Sequence, residues 1–499
     1  MSVRDGDGPG SATVVVASNR GPVSFSMQDD GTLAAKRGGG GLVAGLSSAA
    51  RGGDTVWVCA ALSEADRIAA RRAERGRLDT DGHDTGGVAV RMLDIDPGTF
   101  QRAYNGVANS TLWFIHHLLY DVPNQPNFDQ VFRREWSSYV DYNRAFAAAL
   151  AEEAGFGAKV VVQDYHLTLT PAFLRELRPD LRIGHFSHTP WAPPAYFRLL
   201  PDDVAAQVLR GILGADYAAF LTRRWAEAFA GCCADVLGTR VAEGVTEGVA
   251  AIEHAGGLTH IGVHGLGVDG EFLKERAAAP DVDLRRSGLL AAAGDRKIIV
   301  RVDRTELSKN IVRGLAAYRE FLRDHPEWHD RVVHVALAYP SRHDLPEYRE
   351  YTAAVQRIAK EIDDEFGTHA WRPLILGVED DFARSLAAYL IADVALINPI
   401  RDGMNLVAKE VPVVSDKGCA VVLSREAGAA DDLGDAALLI NPFDISGTAA
   451  ALRAALEMPR AELLDRWRRL AAAATATTPQ RWFADQLRAL DGDPQPPRS

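Results

Sequence analysis

Asp402 and Glu410 lie in the run Asn398-Pro399-Ile400-Arg401-Asp402-Gly403-Met404-Asn405-Leu406-Val407-Ala408-Lys409-Glu410. Upstream, residues 389–397 are apolar with little alternation, as a buried parallel strand would be. Pro399 and Gly403 break the chain, good helix formers follow from Asn405 to Glu410, and Pro412 is expected to stop that helix. Strand, tight turn and short helix leave backbone N–H groups at a helix start, where an anionic ligand fits. Asp402 would stand at the tip of the turn and Glu410 about two turns further along. Either Asp402 meets a ligand there or it caps its own helix.

Other strand ends carry comparable chemistry. Residues 297–304 form an apolar strand that runs into Ser308-Lys309, so Arg304 and Lys309 could clamp a diphosphate or stand as solvated cations. Residues 13–18 end in Asn19-Arg20, residues 159–163 in Asp164-Tyr165-His166, and residues 182–190 repeat that layout with His185 and His188. Acid, base or cation at each end suggests a parallel sheet with a ligand crevice along its carboxyl edge. The loop Arg37-Gly38-Gly39-Gly40-Gly41 opens onto Leu42, and a phosphate could approach its backbone. It does not match G-x-G-x-x-G, and an unliganded surface loop is the alternative. Tyr104 and Trp113 read as core aromatics or as pocket walls.

These residues need a scaffold of alternating strands and helices. Further strands are expected at 332–338, 374–377, 420–424 and 437–441, and helices at 215–240, 345–366, 446–457, 460–475 and 479–490. Residues 245–264 alternate like two antiparallel strands about Gly256-Gly257, and the pattern restarts near Gly265-Leu266-Gly267-Val268-Asp269. The expected organisation is an N-terminal Rossmann-like domain at 1–268 and a second at 269–477. Residues 478–499 hold a helix, which could cross back to the first domain, and a disordered Pro-rich tail. The economical α/β architecture sets two parallel sheets facing each other across a cleft.

At 499 residues the chain is too long for one typical core. Its 47% hydrophobic and 24% charged residues are ordinary for a globular protein, and a net charge of -12 argues against a nucleic-acid-binding surface. Anionic ligands would have to be held by local Arg and Lys. Cys59, Cys232, Cys233 and Cys419 form no C-x-x-C pair, so no metal is expected and the thiols read as buried residues in a reducing compartment. No signal peptide or membrane span is apparent, and the expected location is cytoplasmic.

Taken together, the pieces resemble the trehalose-6-phosphate synthase family, retaining glycosyltransferases of the two-Rossmann (GT-B) type. The matching residues are Ser18-Asn19-Arg20, Gly40-Gly41-Leu42, Tyr104-Asn105 with Leu112-Trp113, Asp164-Tyr165-His166-Leu167 and His188-Thr189-Pro190. They continue with Arg304, Ser308-Lys309, Pro340-Ser341-Arg342 and the specific run 401–410. The resemblance implies glucose transfer from UDP- or GDP-glucose, a co-substrate in place of any cofactor, to glucose 6-phosphate. By position, Arg20 and Arg342 would hold the acceptor phosphate, with Tyr104, Trp113 and Asp164 shaping the acceptor pocket. Gly40 and Gly41 would approach the donor phosphates, and Arg304 with Lys309 would neutralise the departing diphosphate. His188 would touch the donor glucose, and Asp402 with Gly403, Met404, Asn405, Leu406 and Val407 would grip its hydroxyls and phosphate. Glu410 would take the ribose.

Departures from the family pattern are Cys59-Ala60-Ala61 after Trp57, Val263-His264-Gly265-Leu266-Gly267, and Thr305-Glu306-Leu307 in place of Leu-Asp-Tyr. They leave uridine and guanosine donors both open, as is a homo-oligomer. Rival readings are a pseudoglycosyltransferase coupling cyclitols and a catalytically silent sugar-phosphate-binding regulator. The intact charged set speaks against both.

Overall fold

Strand ends matter here because Arg20, Asp164, His188 and the Asp402 turn each follow one and Arg304 closes one. The computed structural model describes residues 10–37, 54–242, 251–342 and 344–491. The chain divides into two units, residues 1–266 with 479–499 and residues 267–478.

In the first unit the strands are β1 (Ala12–Ala17), β2 (Val23–Met27), β3 (Leu33–Arg37), β4 (Thr55–Ala60), β5 (Ala89–Leu93) and β6 (Ala154–Gln163). There follow β7 (Arg182–Ser187), β8 (Tyr217–Phe220), β9 (Arg240–Ala242), β10 (Ala251–His254) and β11 (Gly257–Val263). Among the described residues one sheet runs in the order β5-β4-β1-β6-β7-β8-β11-β10-β9. It is parallel from β5 to β11, with Val16 beside Trp57 on one side and Val161 on the other. β10 pairs antiparallel with β11 and β9, and Gly256 turns the hairpin at φ 74°. Val15, Val16, Val160 and Val162 are fully buried, as strands covered on both faces require. Strand order reverses between β1 and β6, the place where such sheets bind ligands.

Two features of this unit depart from expectation. The helix expected over 215–240 begins at Arg223, because Tyr217–Phe220 is a buried sheet strand, β8. Arg102–Leu112 winds as a π-helix of 11 residues, where Thr111 Oγ1 donates to Gly106 O at 3.0 Å. Such windings concentrate at functional sites. The helix Pro479–Ala489 belongs to this unit. Its Trp482 is fully buried and meets Phe186 edge-on at 4.8 Å between centroids.

The second unit holds β12 (Lys297–Arg304), β13 (Val332–Tyr339), β14 (Leu374–Gly377), β15 (Val394–Ile397), β16 (Ala420–Ser424) and β17 (Leu438–Ile440). These form a parallel sheet in the order β14-β13-β12-β15-β16-β17, which reverses between β12 and β15. Two expectations are corrected here. Tyr389, Leu390 and Ile391 close the helix Phe382–Ile391 instead of opening the strand; the helix is buried nearly all round, so it shows no polar face to betray it. Pro412 lies inside the helix Val407–Val414. The turn survives the missing N–H because Ser415 N still reaches Val411 O at 3.0 Å, and Trp467 Nε1 donates to Pro412 O at 2.7 Å.

All four cysteines are free and buried. No helix among the described residues is long and apolar enough to cross a membrane.

Candidate functional site

In the second unit β12 ends on Arg304 and β15 leads into the Asp402 turn, one on each side of the strand-order reversal. Lys309 Nζ donates to Asp402 Oδ2 at 2.6 Å, and Asn405 Nδ2 donates to the same oxygen at 3.1 Å. Both ionic side chains are largely shielded, 17% and 15% exposed. The backbone joins the two junctions as well, since Ile400 N donates to Ser308 O at 2.8 Å. At the helix start, Asn405 Oδ1 accepts from Ala408 N at 3.2 Å, a bond of the kind a simple-cap reading would give to Asp402. That helix begins at Val407, two residues later than expected, and Asn405 takes φ 74°.

The turn is fastened from behind. Asp402 N donates to Glu426 O, Gly428 N to Asp402 O and Ala429 N to Met404 O, at 3.2, 3.0 and 2.7 Å. Gly428 permits this approach, because a Cβ there would lie 1.9 Å from Gly403 O. Gly403 and Met404 are buried, Leu406 and Val407 half-buried.

Charge in this cluster is shared among several groups. Burial works to lower the Lys309 pKa, but Asp402, Asp303 and Glu306 outweigh it and hold the ammonium above its ordinary range. Burial raises Asp303, against the pull of Arg301 and Lys309. Burial also presses Glu306 upward, yet Arg304, Arg342 and Lys309 together hold it at about 2. Arg304 rests one Nη2 on Glu306 Oε1 at 3.2 Å and stays 57% exposed. Arg342 follows β13, adopts φ 47° and donates Nη1 to Tyr348 OH at 2.6 Å. Glu410 is raised by burial, with Tyr389 OH donating to its Oε2 at 3.2 Å.

The first unit gathers its own set along the carboxyl edge of β1, β6 and β7. Arg20 follows β1 and is exposed; beside it Asn19 Oδ1 accepts from Tyr142 OH at 2.6 Å. Asp164 follows β6 at φ 72°, ψ 174°, and its Oδ1 accepts from His188 N at 3.0 Å. His188 Nε2 lies 2.7 Å from Gln163 Oε1, so it carries the proton and Nδ1 is left as an acceptor. Burial, then neighbouring His185, pushes the His188 imidazole down to about 3, which keeps it neutral. Trp482 supports it at 5.5 Å between ring centroids.

Tyr104 sits in the π-helix and lies near-parallel to Phe100 and His166, at 5.2 and 5.6 Å. Its stacking partners are therefore protein rings, and it offers its hydroxyl. Trp113 is 9% exposed and stacks on His117 at 3.8 Å between ring centroids. Gly40 and Gly41 lie outside the described residues.

Residues beyond the sequence-derived set also build these clusters: Glu306, Asp303, Gln163, Tyr348 and Tyr389. Glu306 alone had a signal, its place in the unusual Thr305-Glu306-Leu307 loop. Among the described residues, no group of three or more His, Cys, Asp or Glu is placed to hold a metal ion.

Comparison with known proteins identifies the family. The model of glycosyltransferase family 20 matches residues 12–492. A trehalose-6-phosphate synthase of Mycobacterium avium is 34% identical over 495 residues, covering 96% of each chain. A probable UDP-forming alpha,alpha-trehalose-phosphate synthase of Arabidopsis thaliana is 32% identical over 96% of this chain, which spans 57% of that longer protein. The solved structure of a UDP-forming alpha,alpha-trehalose-phosphate synthase from Burkholderia xenovorans in complex with glucose-6-phosphate aligns with TM-score 0.82 at 25% identity, over 96% of this chain and all of that one. The chain belongs to glycosyltransferase family 20.

Proposed function

We propose that the protein transfers glucose, with retention, from UDP-glucose to the anomeric hydroxyl of glucose 6-phosphate, forming α,α-trehalose 6-phosphate. The observation that carries the reading is the cluster at the β12–β15 reversal, where Arg304, Lys309 and the Asp402–Asn405 turn meet. A diphosphate needs cations, and Arg304 with Lys309 supplies them where such sheets receive phosphates. Relatives described as UDP-forming favour uridine over guanosine in the donor.

In this reading Arg304 and Lys309 take up negative charge as the bond from glucose C1 to the diphosphate oxygen breaks. The acceptor hydroxyl attacks the same face, and its proton passes to the leaving phosphate. Asp402 and the 403–407 backbone orient the donor glucose, with His188 as a neutral hydrogen-bonding group. Glu410 accepts the ribose hydroxyls. Arg20 and Arg342 hold the acceptor phosphate, with Tyr104, Trp113 and Asp164 lining its sugar. The buried free thiols fit a cytoplasmic setting.

The test is to incubate the protein with glucose 6-phosphate and UDP- or GDP-glucose, following nucleoside diphosphate release and disaccharide phosphate. Acceptor-dependent UDP release with trehalose 6-phosphate as product is expected. Release without glucose 6-phosphate, or none with either donor, sinks the proposal.

A further inference from the structure

Glu306 is an anion placed where the proposed reaction needs cations. It is fully buried, yet it belongs to the short loop that follows β12. The loop is held tightly: Thr305 N donates to Tyr339 O at 2.6 Å, Glu306 N to Arg304 O at 2.7 Å, and Lys309 N to Glu306 O at 3.0 Å. Its carboxylate accepts from Ser341 Oγ at 3.0 Å, which ties it to the segment after β13 that carries Arg342. The same Oε1 receives Arg304 Nη2 at 3.2 Å. Oε2 is buried with no hydrogen-bond partner. A buried carboxylate with one oxygen unserved is costly unless its charge is used, and this one is used electrostatically by three cations.

Arg304 shows why that charge is needed. Its side chain is 57% exposed and free to sample many rotamers unless something fixes it. Glu306 meets the guanidinium through the single Nη2 contact, the one ion pair of Arg304 among the described residues. Arg342 and Lys309 act on the same carboxylate, and like charges gathered around one site repel one another without the anion.

We infer that Glu306 is a positioning residue: it fixes Arg304, and with it the neighbouring cations, in a diphosphate-ready arrangement before any substrate arrives. This rests on the donor-diphosphate role given above to Arg304 and Lys309. The idea makes a prediction of opposite sign from simple charge counting. If Glu306 merely diluted positive charge, removing its charge would tighten anion binding. If it positions Arg304, removing it weakens anion binding.

The test titrates inorganic pyrophosphate, which reports on the cations without the nucleobase or the transfer step, into the full-length protein and its Glu306→Gln and Glu306→Asp variants. Thermal unfolding is followed in parallel. Expected is a roughly tenfold weaker Kd in Glu306→Gln, with Glu306→Asp within about threefold of wild type because its charge is retained. With UDP-glucose and glucose 6-phosphate, kcat/KM for the donor should fall at least as far in Glu306→Gln and recover in Glu306→Asp. Pyrophosphate binding that is unchanged or tighter in Glu306→Gln overturns the inference, as does equal damage in both variants, which would mark a merely structural carboxylate. Wild-type protein that does not bind pyrophosphate overturns it as well. Normal pyrophosphate behaviour with no trehalose 6-phosphate from either donor overturns the proposed function and leaves Glu306 in its role.

Discussion

Lys309 and Asp402, 93 residues apart in sequence, meet at 2.6 Å and bridge the ends of β12 and β15. Asp402→Ala leaves a shielded ammonium with Asp303 and Glu306 alone, and breaking such a pair costs on the order of 3 kcal/mol. Lys309 has its pKa raised in the folded state, so the stabilisation it gains is fully present below the ordinary lysine value. It is lost only as pH rises through the raised one. Urea unfolding should therefore show a constant gap between wild type and Asp402→Ala from pH 6 to 9. A gap that closes within that range removes the pair as its cause.

Arg304→Ala should slow transfer by about 10²–10³. The side chain is mostly exposed, and Glu306 keeps Arg342 and Lys309 as counter-charges, so the melting temperature should move little. Steady-state kinetics with saturating glucose 6-phosphate, beside a thermal melt, checks both halves. Near-normal turnover would take the leaving group away from Arg304.

Gly428→Ala acts on the donor turn from outside the proposed ligand contacts. The added methyl lands against Gly403 O, a backbone atom that can yield only by moving the Asp402–Asn405 turn. Overpacking of this kind costs about 1–3 kcal/mol. Donor KM should rise while the acceptor KM stays put. A variant as stable and as active as wild type would show the turn to be pliable.

Acid should expose His185, within β7, and His188, just beyond it. His188 is held down to about 3 and His185 to about 4, both by burial first. For depressed imidazoles the stabilisation is complete above the unfolded value of about 6.5 and declines as pH falls from there toward the folded values. NMR of the imidazole protons should show neither residue titrating between pH 5 and 8. A His188 midpoint near 6.5 contradicts the buried, Gln163-bonded ring described above.

Much of the scaffold is readable in the sequence because parallel strands covered on both faces are continuous apolar runs ending abruptly in polar groups. Arg304, Asp164 and His188 are visible for that reason: each is an ionisable group at or just beyond the end of such a run. The same rule fails where a helix is as buried as a strand. From Phe382 to Ile397 no residue pattern separates helix from strand, apart from Asp393 between them. The hairpin of β2 and β3 leaves a local sign in Asp30-Gly31, with Gly31 at φ 79°, but its strands are too short to stand out. The π-helix leaves none, since an added residue per turn depends on what packs against it, here the helix Gln130–Glu153. Glu306 shows in the sequence only as an oddity of its loop, because a carboxylate in a cation site reads as an intruder until the distances show what it holds.

Asp164, Asn310, Arg342 and Asn405 all have positive φ without being glycine. Each such residue costs of the order of 1–3 kcal/mol, depending on its region of the map, with the extended ψ of Asp164 among the dearer. Asn310 and Asn405 offset their strain with buried side-chain bonds, but selection for heat resistance alone would favour glycine at Asp164, and Asp164→Gly should melt higher than Asp164→Ala. A library screened only for survival at high temperature would drift toward a sturdier fold without the Asp164 carboxylate, the group proposed above to line the acceptor sugar. Screening for turnover would keep the strain in place.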